Sequence, residues 1–294
     1  MALDGDRLLV GAPGRDDFGG VEAGAAYVFE LHSGGWQQVT RVDAAGDLDR
    51  FGEAVALDGD LALVGAPLEG ISGGGVFDPE GAVYSFERDT EGSWTRAQRI
   101  ASPDAPNVGG FFGRALGLDQ NRLLVGDPGA GTAFVYERTG GTWTNTARLS
   151  PPDLRPVDDF GFSVVLLGDQ AVIGAPQPNS GEGMVYVYRY EEDQERWTQQ
   201  QQILPPAGAA SFGSALALDD ERRAIGTGFP FGPSGDSSAY IFTREASVWV
   251  ETQRLVACDT RATDVFSRSV ALAGDHVLVG ASLYDYVVGS HGGA

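Results

Sequence analysis

The sequence predicts an all-β fold assembled from four-stranded antiparallel units. Three observations predict it. One short hairpin pattern recurs six times. All five tryptophans fall at one place in successive units, about 50 residues apart. No stretch of useful length carries a helical period.

The hairpin is clearest at 51–67, Phe-Gly-Glu-Ala-Val-Ala-Leu-Asp-Gly-Asp-Leu-Ala-Leu-Val-Gly-Ala-Pro. Two apolar runs, 54–57 and 61–64, flank Asp58-Gly59. This pairing predicts a tight turn of type I′, with φ > 0 at both central residues. Gly65-Ala66-Pro67 ends the second strand, because proline has no N–H for a ladder. The pattern returns at 1–13, 117–128 and 166–176, and more loosely at 217–228 and 271–282.

Each unit reads as four strands in order. The first is entered by Phe-Gly: Phe51-Gly52, Phe112-Gly113, Phe160-Gly161 and Phe212-Gly213, with Phe266-Ser267 as a degenerate copy. The second runs into Gly-Ala-Pro or a relative of it. A variable Gly-rich connection follows, and then a third strand of alternating aromatics, as in 83–87 and 185–188. The fourth opens on Trp36, Trp94, Trp143, Trp197 or Trp249, which are expected to be packing residues at equivalent places. Strands one and two are apolar on both faces, the pattern of inner strands. The fourth is polar (94–100 and 197–203), as suits an outer edge that must not pair further.

A four-stranded unit with an apolar inner and a polar outer edge is a β-propeller blade. The expected organisation is a single propeller over 1–294. Its units are approximately 1–50, 51–111, 112–159, 160–211, 212–265 and a partial 266–294. That makes about five blades plus a half, a fragment of a six- or seven-bladed ring whose first Phe-Gly and signal sequence are expected upstream.

Composition narrows the function classes. A net charge of −21 with pI ≈ 4.3 excludes the basic stripe of a nucleic-acid binder and disfavours anionic membrane surfaces. Every basic residue is arginine, so Schiff-base and Walker-lysine chemistry is excluded. Cys258 is alone, cannot form an intramolecular disulfide, and reads as a half-buried packing residue. His32, His276 and His291 show no zinc-ligand spacing, and no Gly-x-Ser-x-Gly elbow exists. Residues 126–132 have the glycines of a phosphate loop but no following helix, so they read as a plain turn.

Taken together, Phe-Gly, Gly-Ala-Pro and the Gly-x-Val-Tyr-x-Phe strand resemble FG-GAP repeats, the units of the integrin α-chain propeller that also occur in bacterial surface and secreted proteins. The resemblance implies an extracellular, non-enzymatic adhesion module. Its partner would be a protein or glycan, with no nucleic acid and no membrane insertion, and it would sit within a larger surface or secreted chain. An accessory propeller of a secreted hydrolase or lyase, and a purely structural module, are the alternatives. The family's Asp-x-Asp-x-Asp-Gly calcium loop is not matched: Asp58-Gly59-Asp60 offers too few oxygens for calcium.

Topology gives the connections a direction. The 2–3 and 4–1 connections leave an antiparallel unit at one end and the 1–2 and 3–4 turns at the other. The first set is long and irregular, so that end is the expected binding face. The ligand-binding candidates there are Asp16, Asp17, Asp47, Asp49, Asp104, Phe229, Phe231 and Asp236. Asp158, Asp159 and Asp264 are candidates for a weak calcium site, with Asx-turns as the alternative role. No cofactor beyond such a cation is expected.

Overall fold

The computed structural model describes residues 1–14, 23–43, 49–70, 79–104, 109–152, 158–176, 182–228, 238–246, 248–258 and 264–283. The candidates Asp16, Asp17, Asp47, Phe229, Phe231 and Asp236 lie outside the described residues. Contacts divide the chain into two compact units, Met1–Leu149 and Ser150–Ala294.

The first unit holds three four-stranded sheets. Sheet one is β1 (Ala2–Asp4), β2 (Arg7–Ala12), β3 (Ala25–His32) and β4 (Gly35–Val42). Sheet two is β5 (Val55–Asp58), β6 (Leu61–Ala66), β7 (Ala82–Arg88) and β8 (Trp94–Ala101). Sheet three is β9 (Leu116–Asp119), β10 (Arg122–Asp127), β11 (Thr132–Thr139) and β12 (Thr142–Leu149). The second unit holds sheet four, of β13 (Ser163–Leu167), β14 (Gln170–Ala175), β15 (Met184–Glu191) and β16 (Arg196–Ile203). Sheet five is β17 (Ala215–Leu218), β18 (Arg222–Gly226), β19 (Ala239–Glu245) and β20 (Val248–Leu255). A two-stranded pair, β21 (Asp264–Ala273) and β22 (His276–Leu283), follows. In every four-stranded sheet the spatial order is the chain order, and all pairings are antiparallel.

Register makes the sheets superimposable. The five tryptophans pair with Leu31, Arg88, Arg138, Tyr190 and Arg244, the same rung each time. The third and fourth strands slip register at one equivalent point, between Val28/Phe29, Ser85/Phe86, Val135/Tyr136, Val187/Tyr188 and Ile241/Phe242. A bulge there strengthens the twist of the outer strand. The tryptophan environments differ in depth: Trp143 and Trp249 are buried, whereas Trp36 is 43% exposed.

The hairpin turns correct one expectation. Asp58 pairs with Leu61, so the central residues are Gly59 and Asp60, and only Gly59 has φ > 0. The same holds at Gly5, Gly168, Gly274 and the non-glycine Gln120. Positive φ at the first central residue alone is the type II′ requirement. Cys258 is exposed rather than half-buried.

The two sequence signatures turn out to be two halves of one joint. Phe51 lies outside the strands and bridges in parallel to Gly24, ahead of β3 in the preceding sheet. Its ring is fully buried against Tyr84 and Phe86 of its own sheet, at 5.6 and 6.2 Å. Gly52 then lies against Gly11 of β2, so closely that a Cβ on Gly11 would overlap the Gly52 carbonyl. Gly65 meets Gly113 in the same way, and Gly174 meets Gly213. Phe-Gly of one sheet thus locks onto Gly-Ala of the sheet before it. Where serine replaces the glycine, Ser267 keeps φ +64, donates its hydroxyl to Ser238 O (2.7 Å) and accepts from Thr227 N–H (2.9 Å). The residue before each Phe is also left-handed: Arg50, Phe111, Asp159 and Ser211.

An amide clamp joins outer strands. Trp143 N–H donates to Gln98 Oε1 (2.8 Å), while Gln98 Nε2–H donates to Trp143 O (3.1 Å). In the second unit Gln201 holds the Trp249 backbone identically, at 2.9 and 3.0 Å. Each glutamine stands four residues after its own sheet's tryptophan and imitates a backbone ladder.

Candidate functional site

In the first unit, described residues of the 2–3 and 4–1 connections pair with one register position of the outer strand. Arg41, Arg99 and Arg148 occupy it, opposite Tyr27, Tyr84 and Phe134. Each arginine takes its carboxylate from a different part of the chain. Arg41 pairs with Asp43 just beyond β4 (3.0 Å). Arg99 pairs with Glu69 of the 2–3 connection (2.6 Å). Arg148 pairs with Asp104 of the 4–1 connection (3.3 Å). Glu69 also accepts from Tyr84 Oη–H at 2.5 Å.

Beneath the third pair lies a buried network. The Asp104 amide donates to Ser102 Oγ (3.3 Å), and the Ser102 hydroxyl donates to Asp127 Oδ2 (3.1 Å). Asp127 is 1% exposed, and among the described residues its Oδ1 has no close hydrogen-bond partner, the Ala130 amide lending the carboxyl a weaker backbone contact. Burial pushes its carboxyl from 3.8 up to about 7; the Ser102 hydroxyl opposes the shift, Asp104 adds to it and Arg148 works against it. Tyr136, buried beside it, is pushed up by burial and then by Asp127 and Asp104. The chain leaves Asp127 through one 3-10 turn, Pro128–Ala130, closed by Gly131 at φ +63, so the plain turn expected here is present.

Asp127 is the functional-looking residue that the reading of the sequence missed. Its signal is the change of Gly-Ala-Pro to Gly-Asp-Pro at 126–128. A second signal lies 17 residues upstream. Asp49 and Asp158, two before Phe51 and Phe160, are both buried, and their own sheets carry Ala66 and Ala175 at the Asp127 position. In sheet three the pair is reversed: Gly110 stands two before Phe112, and a Cβ there would overlap Asp127 Oδ1. Sheets two, three and four thus each carry one buried aspartate at one or other of these two aligned sequence positions.

Asp104 reaches the predicted face. Asp49 and Asp158, the first expected to bind a ligand and the second a cation, are both buried rather than on the open surface. Asp159 serves as the left-handed residue that turns the chain into Phe160. Asp264 is the first residue of β21, and its side chain lies outside the described residues. Among the described residues there is no group of three or more His, Cys, Asp or Glu suited to a metal.

The FG-GAP repeat model matches residues 1–29, 36–86, 143–188 and 249–294. The chain belongs to the FG-GAP repeat family. No match was found among curated proteins. Solved structures similar to this FG-GAP chain include a Lactobacillus plantarum protein with a TM-score of 0.60 at 15% identity, covering 100% of this chain and 82% of that one. Two others, from Bacteroides uniformis and Bacteroides fragilis, are each described as a “putative 6-phosphogluconolactonase”. Their TM-scores are 0.64 and 0.61 at 13% identity, covering 96% and 99% of this chain and 76% and 80% of theirs. At such identities the likeness carries the fold, which is propeller-like. It also corrects one expectation. Two proteins of this architecture bear the name of an enzyme, so membership of an FG-GAP propeller-like fold does not make this chain a non-enzyme.

Proposed function

We propose that the chain is an extracellular recognition module that binds a protein or glycan through the end of its sheets where the 2–3 and 4–1 connections emerge. The observation that carries this reading is the arginine row. One register position holds Arg41, Arg99 and Arg148 on a rigid outer strand, while the partner carboxylate changes origin from sheet to sheet. At the opposite end the 1–2 turns of the first unit are two-residue turns of one kind, while the 3–4 turns beside them leave two or five residues between the paired strands. A fixed strand position with a varied charged partner is an arrangement that recognition uses. Half-exposed arginine–carboxylate pairs offer planar, charged hydrogen bonding to amides, hydroxyls and carboxylates. On the same reading the sheets belong to a six- or seven-bladed ring within a larger surface or secreted protein, and β21 and β22 are the first two strands of a further unit.

The test is binding to an array of oligosaccharides and extracellular proteins. Arg99→Ala with Arg148→Ala is expected to weaken any bound ligand about ten-fold or more, close to 1.4 kcal/mol or above. Arg138→Ala at the other end is expected to leave binding unchanged. Equal losses from both variants, or no ligand on the array, would refute the reading.

A further inference from the structure

The second unit breaks a rule that the first unit keeps. In the first unit, adjacent third strands are tied by a glutamate–arginine rung near the 3–4 turns. Glu30 of β3 meets Arg88 of β7 at 3.1 Å, and Glu87 of β7 meets Arg138 of β11 at 2.6 Å. The equivalents in sheets four and five, fixed by strand register, are Arg189 and Arg244. The carboxylate of the rung has become a second arginine.

A third cation stands beside them. Arg223 occupies the β18 position that holds Leu8 in β2 and Leu123 in β10. It is 1% exposed, its guanidinium lies 3.7 Å from the centre of the Trp249 ring, and Nη2 donates to Gln170 Oε1 at 2.5 Å. Its Nε and Nη1 are buried without hydrogen-bond partners. Burial, with the Arg244 charge second, brings Arg223 down to about 9. Gln170 and Trp249, which hold Arg223, also line a cleft of ≈ 60 Å³ together with Arg189, Gln200, Gln201 and Arg244. Among the described residues, Arg189 alone of the three arginines has a close carboxylate here, Asp169 at 2.6 Å.

We propose that this cleft between sheets four and five is a binding site for a small oxyanion, which takes the place of the missing glutamate. A water needs roughly 10–15 Å³ of such space, so the cleft has room for one phosphate-sized anion or a few waters. Arginine forks are donors only, and an oxyanion offers acceptors only, so the guanidiniums of Arg189 and Arg244 supply the match. In a chain of net charge −21, three clustered arginines sharing one aspartate run against the general field, which makes the local excess of positive charge specific to this junction. The site lies at the opposite end of the sheets from the proposed recognition face and does not depend on that reading.

The experiment is thermal melting at constant ionic strength in about 10 mM inorganic phosphate, acetate or chloride. Phosphate is expected to raise the melting temperature over chloride by roughly 2–4 °C, with acetate between them. Arg189→Glu rebuilds the rung of the first unit. It is expected to raise the melting temperature in chloride and to abolish the phosphate increment. Arg244→Gln, which removes a cation and adds no carboxylate, is expected to lose the increment as well. Arg138→Gln, in the first unit, should lower the melting temperature and keep the increment. A wild-type chain that melts alike in all three salts, or an increment that survives both Arg189→Glu and Arg244→Gln, would overturn the proposal.

Discussion

Gly65→Ala isolates the joint between neighbouring sheets. Gly65 does not have positive φ, so alanine costs no backbone strain there. The added Cβ would overlap Gly113 O and stand 3.0 Å from its carbonyl carbon. Both lie far inside the roughly 3.5 Å at which carbon contacts become favourable. The obstacle is backbone, and it is pinned: Gly113 N–H donates to Gly126 O at 3.1 Å. Relief therefore requires sheets two and three to separate around the buried Phe112. Overpacking of this kind costs about 1–3 kcal/mol or more, or roughly 2–12 °C for a unit of this size. Gly34→Ala is the matched control. Gly34 has no positive φ and nothing within 4 Å of an added Cβ, so the substitution meets neither strain nor overlap. Urea unfolding of both variants gives the comparison. If Gly65→Ala is no more destabilising than Gly34→Ala, the interlock does not hold the sheets together.

Other outcomes follow from the clamps and carboxylates. Gln98→Ala removes both hydrogen bonds to the Trp143 backbone and should cost roughly 1–3 kcal/mol in the same unfolding assay, whereas Gln98→Glu should fail to rescue because it cannot donate to Trp143 O. Asp127 binds its proton more tightly folded than unfolded, so its contribution to stability falls as pH rises from its ordinary value near 3.8 through about 7. Asp127→Asn should therefore gain on the wild type between pH 5 and pH 8, by about 3 kcal/mol at most, and equal melting differences at the two pH values would contradict this. Calcium at millimolar concentration should raise the melting temperature no more than magnesium, since Asp158 is buried and Asp159 is a turn residue; a calcium-specific rise lost in Asp158→Asn would refute that.

Much of the fold was legible because period-2 strands and a fixed tryptophan are local signals. The strand order, the outer place of the polar strand and the common tryptophan rung all follow from reading each copy along itself. The meaning of Phe-Gly and Gly-Ala was not legible in this way, because each motif is completed by the other motif from a different copy. The site was hidden for the same reason. Asp127 looks like a lapse in Gly-Ala-Pro until it is set beside Gly110, and the pair makes sense only as the reverse of Asp49 with Ala66. Arg189 is an ordinary surface arginine in its own strand. Its significance lies in the glutamates that stand at that rung in earlier sheets. The turn type was misread because Asp-Gly suggested a loop one residue ahead of where the ladder closes.

The joint of Phe-Gly on Gly-Ala has a consequence for how such a chain changes over generations. Its close contacts are made by glycine backbone on glycine backbone, with one aromatic ring as a plug, and they draw on the 2–3 and 4–1 connections only through their closing residues, such as Gly24 and Phe51. A copy carrying those few residues presents the same coupling whatever the rest of its connections contains. Unequal exchange between copies would shuffle whole loops in frame, each arriving already fastened to its new neighbour. Where a side chain has entered the coupling, as at Ser267 with its hydroxyl bound to Ser238 and Thr227, that freedom is gone, because the copy now fits only a neighbour that supplies the matching groups.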